Sequence, residues 1–380
     1  MSKKKDKKKK QQEQKTPQTA INWRARTKKW VRWGVLCFIA LVVVFLSLFW
    51  IPGTLHYEIT ETYSISVDTT SMLHLVISLP TSGPYQQVSD PEIIWPGRWN
   101  LDLSGRLNVL EMEGELQSGE TIEAIITYTV NLSQGEARWF GQPVEPEDQS
   151  STEEIQADHP DIVTQAQDLV EDDDRLTTAK RIFDFTIHHL NWPNEKRLNP
   201  DVSALHAYQS EIGGSTEHVN LMTALCRAID IPSRPVSGMV LPDSIPFFTM
   251  STTRGHPARA QAWLELFVNN AWILADPSRS NAFFQHDLFA WTDGRHLVYD
   301  TIVHEAEVYD LFVSKAEESG GTLIASMSAP LRFVAWSEKA LENASLTPDV
   351  RLRKTWDARY VWMVSIILIL IIINWVIRVK

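Results

Sequence analysis

The chain has 380 residues, of which 44% are hydrophobic and 22% are charged, a composition typical of a folded protein with room for two or three domains. The net charge of −11 is uneven, because residues 1–33 carry 13 Lys/Arg and two acids whereas residues 52–350 carry 17 Lys/Arg and 44 Asp/Glu. An acidic body repels phosphates, so we expect no nucleic-acid partner, and with only two cysteines, Cys37 inside an apolar run and Cys226, a disulfide framework is excluded.

The N-terminal end predicts a basic tail followed by a membrane span. Residues 1–29 are rich in Lys and Gln and are expected to form a disordered cytoplasmic tail. Residues 30–52 include an uncharged stretch from Trp33 to Pro52, long enough as a helix to cross about 30 Å of hydrocarbon. A cleaved signal peptide is the alternative, but no small-x-small motif follows, which favours an uncleaved anchor.

A second span is predicted at residues 359–378, where no charge occurs from Tyr360 to Ile377. The basic tail places the N-terminus in the cytoplasm by the positive-inside rule. We therefore expect a two-pass cell-membrane protein with both termini cytoplasmic and the soluble part extracytoplasmic. One signal opposes this topology, a basic cluster just before the second span: Arg351, Arg353, Lys354 and Arg359.

The soluble part begins with strand patterns. Residues 56–138 alternate apolar and polar side chains in successive short segments separated by turn residues, which predicts a β-sandwich-like domain. Residues 139–155 are acidic, contain prolines and are expected to be a linker.

Residues 156–345 are expected to form a second domain that starts with helices and continues with strands. Apolar spacings of three and four predict two helices, and a third is expected to begin at Ser215 as its N-cap and to run to about Ile229. Strands are predicted over 234–240, 260–268 and 271–276, the last two joined by a turn at Asn269-Asn270. Residues 279–345 give no clear pattern.

Two motifs in this second domain resemble those of the transglutaminase-like superfamily. The first follows G-x-C-x-E-H-x-x-L…A-L-x-R-A-x-G-I-P-x-R and matches at Gly213, Glu217, His218, Leu221, Ala224, Leu225, Arg227, Ala228, Ile231, Pro232 and Arg234. The second follows H-A-W-x-E…W-x-x-x-D-P and matches at Ala262, Trp263, Glu265, Trp272, Asp276 and Pro277.

The resemblance implies an α+β fold with a papain-like core, in which a helix carries a nucleophilic Cys at its start and an antiparallel sheet presents His and then Asp. It also implies a bacterial, membrane-anchored type in which an all-β sandwich-like domain precedes the core, and the two transmembrane helices predicted above would flank the soluble part.

The catalytic positions of that family are changed in this chain. Ser215 stands at the position of the nucleophilic Cys and Gln261 at that of the His, while Asp276 retains the acid. A Ser hydroxyl needs a base more than a Cys thiol does, and a neutral amide cannot act as one near pH 7. Two other imidazoles are possible substitutes: His218, for which helix packing is favoured, and His256, which strand alternation turns to the opposite face.

The two substitutions are compatible with each other. An amide can accept a hydrogen bond from Ser215 through its carbonyl and donate one to Asp276 through its NH₂, which predicts a hydrogen-bonded copy of the triad without proton transfer. The alternative is a site that has drifted, with these groups hydrated. Glu217, His218, Trp263 and Trp272 are the expected ligand-binding residues, although Glu217 also fits a solvated helix-face charge.

We expect no metal site, because the histidines lack metal-ligand spacing, and no cofactor. Three functions remain open. The favoured one is a catalytically degenerate, membrane-anchored protein that binds a peptide or amine-type ligand or scaffolds a surface complex. The alternatives are an active amide hydrolase or acyltransferase that uses Ser215, and a purely structural ectodomain.

Overall fold

The fold was analysed in a computed structural model that describes residues 53–102, 108–171, 174–193, 201–242, 249–251, 259–279, 287–327, 332–339, 341, 343–357, 365 and 368. Nearly all of these residues lie in the compact unit Pro52–Ala358. The predicted tail (1–29) and first span (30–52) lie outside the described residues, as does the second span (359–378) apart from Ser365 and Leu368. Within the described ranges, no helix is both long and apolar enough to cross a membrane.

Seventeen strands and five α-helices are described. The strands are β1 (Gly53–Val67), β2 (Ser71–Leu79), β3 (Gln86–Val88), β4 (Glu92–Ile94), β5 (Arg98–Asp102), β6 (Asn108–Leu116), β7 (Thr121–Glu136), β8 (Arg138–Trp139), β9 (Ser233–Val240), β10 (Thr249–Ser251), β11 (Arg259–Val268), β12 (Ala271–Ala275), β13 (Trp291–Asp293), β14 (His296–Thr301), β15 (Thr322–Met327), β16 (Arg332–Ser337) and β17 (Ala344–Asp357). The helices are α1 (Pro160–Asp168), α2 (Arg175–His189), α3 (Ala204–Ser210), α4 (Ser215–Arg227) and α5 (Ile302–Glu318).

The strands of the first part of the chain, joined by several later strands, form two antiparallel sheets with a shared core. One sheet has the order β10-β17-β1-β7-β13, with β3 and β4 also paired to β7, and the other has the order β15-β16-β2-β6-β5. Along β1 every second residue is buried, as the alternating sequence predicts. Apolar side chains of β1 and β7 meet those of β2 and β6 in one core, so the arrangement is sandwich-like.

The C-terminal strands lie in these same two sheets. β17 pairs antiparallel with β1 over its whole length, from Leu55 opposite Asp357 to Val67 opposite Ala344, and β16 pairs with β2. The expected division into a β-domain at 56–138 and a separate domain ending at residue 345 did not anticipate this pairing. The reason is physical: strand alternation reports which face is buried but not which distant strand supplies the partner.

The segment expected to be a linker (139–155) packs against the core. It begins in β8, which pairs with β12, and contains a 3-10 turn at Pro146–Asp148 in which Asp148 is buried. The Arg227 guanidinium donates a hydrogen bond to the carbonyl of Ser150, and the Ala204 amide donates one to the carbonyl of Glu154. This segment is therefore an ordered connection, which its acidic, proline-containing composition did not indicate.

A third sheet, ordered β14-β9-β11-β12-β8, carries the predicted motif residues. Ala262, Leu264 and Leu266 of β11 pack against the apolar faces of α1–α4, whereas Trp263 lies on the opposite face. The turn between β11 and β12 has positive φ at both Asn269 and Asn270, at 51° and 61°, as expected for a two-residue hairpin. This sheet and α4 position the candidate site.

Candidate active site

Helix α4 begins at Ser215, but Ser215 is not its cap. The N-cap is Gly214, and the carboxylate of Glu217 accepts a hydrogen bond of 2.9 Å from the Gly214 amide. Glu217 is therefore buried at the helix start rather than a solvated charge, which corrects one sequence expectation. A Cβ at position 213 would lie 2.7 Å from the Cβ of Glu217, so the close approach requires Gly213. Ser215 is left as the first helical residue, with its hydroxyl free of a capping role.

His218 is held at the same helix start. Its Nδ1 donates a hydrogen bond of 2.7 Å to the Gly214 carbonyl, and its ring stacks on Trp192 with centroids 5.7 Å apart. Burial lowers the pKa of His218, and the Gly214 carbonyl and the charge of Asp276 only partly oppose that effect. The imidazole thus has the packing and helix-end role that the sequence favoured over that of a substitute base.

Gln261 and Asp276 meet across strands β11 and β12. The Gln261 Nε2 atom donates to Asp276 Oδ2 at 3.2 Å and to Ser278 Oγ at 2.6 Å. Asp276 is fully buried, and its other oxygen, Oδ1, accepts from the amide and the hydroxyl of Ser278 at 3.0 and 2.7 Å. The amide NH₂ therefore contacts the acid as the sequence predicted. No hydrogen bond joins Ser215 to Gln261, although α4 packs directly on β11.

His296, on β14, is a member of the site that sequence reasoning missed. Its buried Nε2 lies 3.0 Å from Asp276 Oδ2, so Gln261 and His296 share one carboxylate oxygen. Its Nδ1 lies 3.2 Å from Asp293 Oδ1, and the ring meets Trp263 edge-on at 4.8 Å. His296 follows Gly294-Arg295 in the region without a clear pattern, and no motif spacing marks it.

The charges around His296 alternate. Arg279 Nη2 contacts Asp293 Oδ2 at 3.0 Å, while Arg279 Nη1 lies 3.4 Å from His296 Nε2. Burial also lowers the pKa of His296, but the bonds to Asp276 and Asp293 outweigh it and raise that pKa above its ordinary value. Burial would raise the pKa of Asp293, yet His296, Arg279 and Arg295 hold it well below its usual range. His296 is consequently a buried imidazole, placed between two carboxylates that favour its protonated form.

The two tryptophans predicted to bind ligand are in the core. Trp263 and Trp272 are both 0% exposed. The Trp263 indole donates to the Tyr85 hydroxyl at 3.5 Å, and Trp272 stacks beneath the Arg234 guanidinium at 4.1 Å. Neither ring can reach a ligand, because both are fully buried in the core on this face of the sheet.

The accessible aromatic beside the helix start is Trp192, which is 54% exposed. A Cβ built on Gly214 would lie 3.7 Å from its ring, so Trp192 covers the residue next to Ser215. Ile212, 40% exposed, is a second exposed apolar residue in the segment before the helix, where it forms a parallel bridge with Asn191. Exposure of this pair could not be read from the sequence, since neither residue belongs to a periodic element.

A cavity of about 310 Å³ lies on the Trp263 face of the sheet, and Arg234, Glu265, Tyr85 and Gln142 are among its lining residues. Arg234 Nε donates to Glu265 Oε2 at 2.8 Å, and the Tyr85 hydroxyl donates to Glu265 Oε1 at 3.2 Å. Both carboxylate oxygens are therefore bonded, and these family-motif residues tie the sheet to the loop before β3. Among the described residues, no group of three or more His, Cys, Asp or Glu side chains could hold a metal ion.

Comparison with known proteins agrees with the sequence motifs. The model of the transglutaminase-like superfamily matches residues 163–277. A candidate cysteine protease from Cytophaga hutchinsonii is similar at 15% identity and a TM-score of 0.48, over 81% of this chain and 94% of that one.

The periplasmic domain of TgpA from Pseudomonas aeruginosa, bound to ethylmercury, is similar at 13% identity and a TM-score of 0.32, over 63% of this chain and 94% of that domain. No curated protein matches the sequence. The matched region spans the helices that support Ser215, the strand of Gln261 and the acid Asp276, and it forms a domain of the transglutaminase-like superfamily.

Proposed function

We propose that this chain is a catalytically inactive, membrane-anchored transglutaminase-like protein that binds a peptide-type ligand at the start of α4. The observation that carries the proposal is the state of Gln261, which stands at the base position with its NH₂ committed to Asp276 and Ser278. An amide in this arrangement has no basic site near pH 7, so it cannot take a proton from Ser215. In triad enzymes the loss of nucleophile or base costs on the order of 10⁶ in rate.

The neighbouring imidazoles do not replace the missing base. His218 is bonded through Nδ1 to the Gly214 carbonyl, and His296 is fully buried between Asp276 and Asp293. His256, the other substitute base considered from the sequence, lies outside the described residues. His296 contacts the acid Asp276, and no hydrogen bond joins it to Ser215 among the described residues.

Ligand binding is supported by what the helix start presents to solvent. Trp192 and Ile212 are a pair of exposed apolar residues close to the helix start, and Trp192 lies against Gly214. Tryptophans in such positions contribute much of the binding energy in protein interfaces. An extended peptide could place an apolar side chain on this pair while its backbone reaches the polar groups of Ser215 and Gln261.

Turnover tests the inactive state. The purified full chain in detergent should show no peptide-amide hydrolysis and no amine-to-glutamine crosslinking, and Ser215→Ala should behave identically. Turnover that disappears in Ser215→Ala would overturn the proposal in favour of a serine-dependent enzyme.

Binding tests the ligand. On arrays of synthetic peptides, Trp192→Ala should weaken binding of the full chain about tenfold or more. Trp99→Ala is the matched control, because Trp99 is similarly exposed at 49% but lies on β5 in another sheet. Equal losses in both variants, or no binding by the wild type, would count against a peptide site at α4.

A further inference from the structure

Both amide hydrogens of Gln261 are used inside the protein. One is directed to Asp276 Oδ2 and the other to Ser278 Oγ. The Ser278 hydroxyl has a single hydrogen, and it donates that hydrogen to Asp276 Oδ1. Ser278 can therefore only accept from Gln261, and an amide turned by 180° would direct its carbonyl oxygen at a carboxylate and at a hydroxyl without a free hydrogen.

His296 holds Asp276 in the position that this arrangement needs. The imidazole contacts the same oxygen, Oδ2, that accepts from Gln261, and its ring is enclosed by Asp293, Arg279 and Trp263. In a working triad the acid orients the catalytic histidine. Here the acid is held instead by His296, and its Oδ2 is fixed as the acceptor for the Gln261 NH₂ group.

The remaining atom of the amide is Gln261 Oε1. Gln261 is half-buried, and Oε1 has no hydrogen-bond partner in the described part of the chain. Because the NH₂ group faces the acid, this oxygen is the group that Gln261 can offer to a ligand. A half-buried acceptor gains from an N–H donor and loses when it faces another acceptor.

We propose that His296 is a positioning residue that, through Asp276, fixes the amide of Gln261 with its carbonyl toward the ligand, so that the site selects a ligand carrying an N–H donor. This inference rests on the proposed function and deepens it. It assigns a hydrogen-bond preference to the site. A ligand with a secondary amide binds, whereas an otherwise similar ligand that offers only acceptors does not.

The orientation is tested by the side-chain amide signal of Gln261 in the full chain, labelled with ¹⁵N-glutamine in detergent and assigned by its absence in Gln261→Glu. We expect hydrogens protected from solvent exchange. His296→Phe should abolish that protection, and His296→Gln, which retains an N–H able to reach Asp276, should restore most of it. Exchange at the rate of an exposed glutamine in the wild type would overturn the proposal, and so would full protection in a folded His296→Phe.

The preference for an N–H donor is tested with two small probes. N-methylacetamide has an N–H group, and N,N-dimethylacetamide has none. N-methylacetamide should shift the Gln261 signal at about tenfold lower concentration. In Asp276→Asn, a second variant in case His296→Phe does not fold, the neutral amide can also donate, so the selectivity should vanish. Equal midpoints for the two probes in the wild type would overturn the inference, whereas turnover dependent on Ser215 would overturn the proposed function alone.

Discussion

His296 Nε2 lies 3.0 Å from Asp276 Oδ2, the same carboxylate oxygen that accepts a hydrogen bond from Gln261. A buried imidazole thus contacts the acid of a triad whose catalytic histidine is absent. The contact has an energetic consequence, because the folded protein binds the His296 proton more tightly than the unfolded chain does.

The stability provided by His296 should depend on pH. Since its folded pKa is raised, its contribution should be complete below the unfolded pKa of about 6.5 and should be lost as pH rises through the folded pKa. His296→Gln should lower the free energy of unfolding by about 3 kcal/mol at pH 6 and by less at pH 9. Chemical denaturation of wild type and variant at both pH values measures the difference.

His188→Gln is the control for that experiment. His188 lies on an exposed face of α2, so its replacement should change the free energy of unfolding little at either pH. A loss in His296→Gln that is equal at pH 6 and pH 9 would mean that the imidazole is neutral in the folded protein.

The carboxylate of Glu217 should stabilise the start of α4. It accepts the Gly214 amide hydrogen, which would otherwise be unsatisfied at a buried helix end. Glu217→Ala should therefore lower the free energy of unfolding by about 1–2 kcal/mol. Glu217→Gln retains an acceptor oxygen and should cost clearly less. Thermal unfolding of the two variants measures these losses in the free energy of unfolding. Equal losses would show that Glu217 stabilises the helix through its charge and not through the capping hydrogen bond.

The sequence predicted the site best where chemistry dictates a motif. The pairing of Gln261 with Asp276 followed from the H-A-W-x-E…D-P spacing together with the hairpin turn at Asn269-Asn270. The helix start was predicted at the correct residue, but Gly214 took the cap that was assigned to Ser215, because Glu217 supplies the acceptor from within the helix.

Other features depend on contacts between distant segments. His296 reaches Asp276 only because β14 pairs with β9, which in turn pairs with β11, and no local pattern encodes that order. The pairing of β17 with β1 is equally non-local. Trp263 resembled a binding residue in a motif, yet the sheet face it occupies is covered by Tyr85 and His296. Alternation and spacing do not contain this information.

The pairing of β1 with β17 bears on membrane topology. Leu55 lies opposite Asp357, so the chain leaves both strands at the same end of one antiparallel ladder, about 5 Å apart. Each predicted span starts only a few residues beyond this pair, too few to cross about 30 Å of hydrocarbon. Both spans should then enter the membrane from one side, and reporter fusions at residues 20 and 340 should report opposite sides. The same side for both would exclude the two-span topology.

Restoring the triad is the most demanding test of the site. In a chain with Cys37 and Cys226 replaced by Ala, Ser215→Cys alone should give a thiol with a modestly lowered pKa, because the start of α4 stabilises the thiolate. Adding Gln261→His should create a Cys–His–Asp arrangement and a much more nucleophilic thiolate. Iodoacetamide alkylation as a function of pH compares the two variants.

His296 sets what the restored triad can achieve. The new imidazole would share Asp276 Oδ2 with His296, so the carboxylate would stabilise the charge of each imidazole less than it would stabilise one alone. Adding His296→Gln to the double variant should leave Asp276 to the new histidine alone, and alkylation near pH 6 should accelerate further, because the thiolate–imidazolium pair gains the full charge of the acid.

If Ser215→Cys with Gln261→His reacts no faster than Ser215→Cys alone near pH 6, positions 215 and 261 do not meet, and the assignment of the site is wrong at its centre. If only the additional change at His296 has no effect, the triad positions stand and the imidazole of His296 does not compete for Asp276.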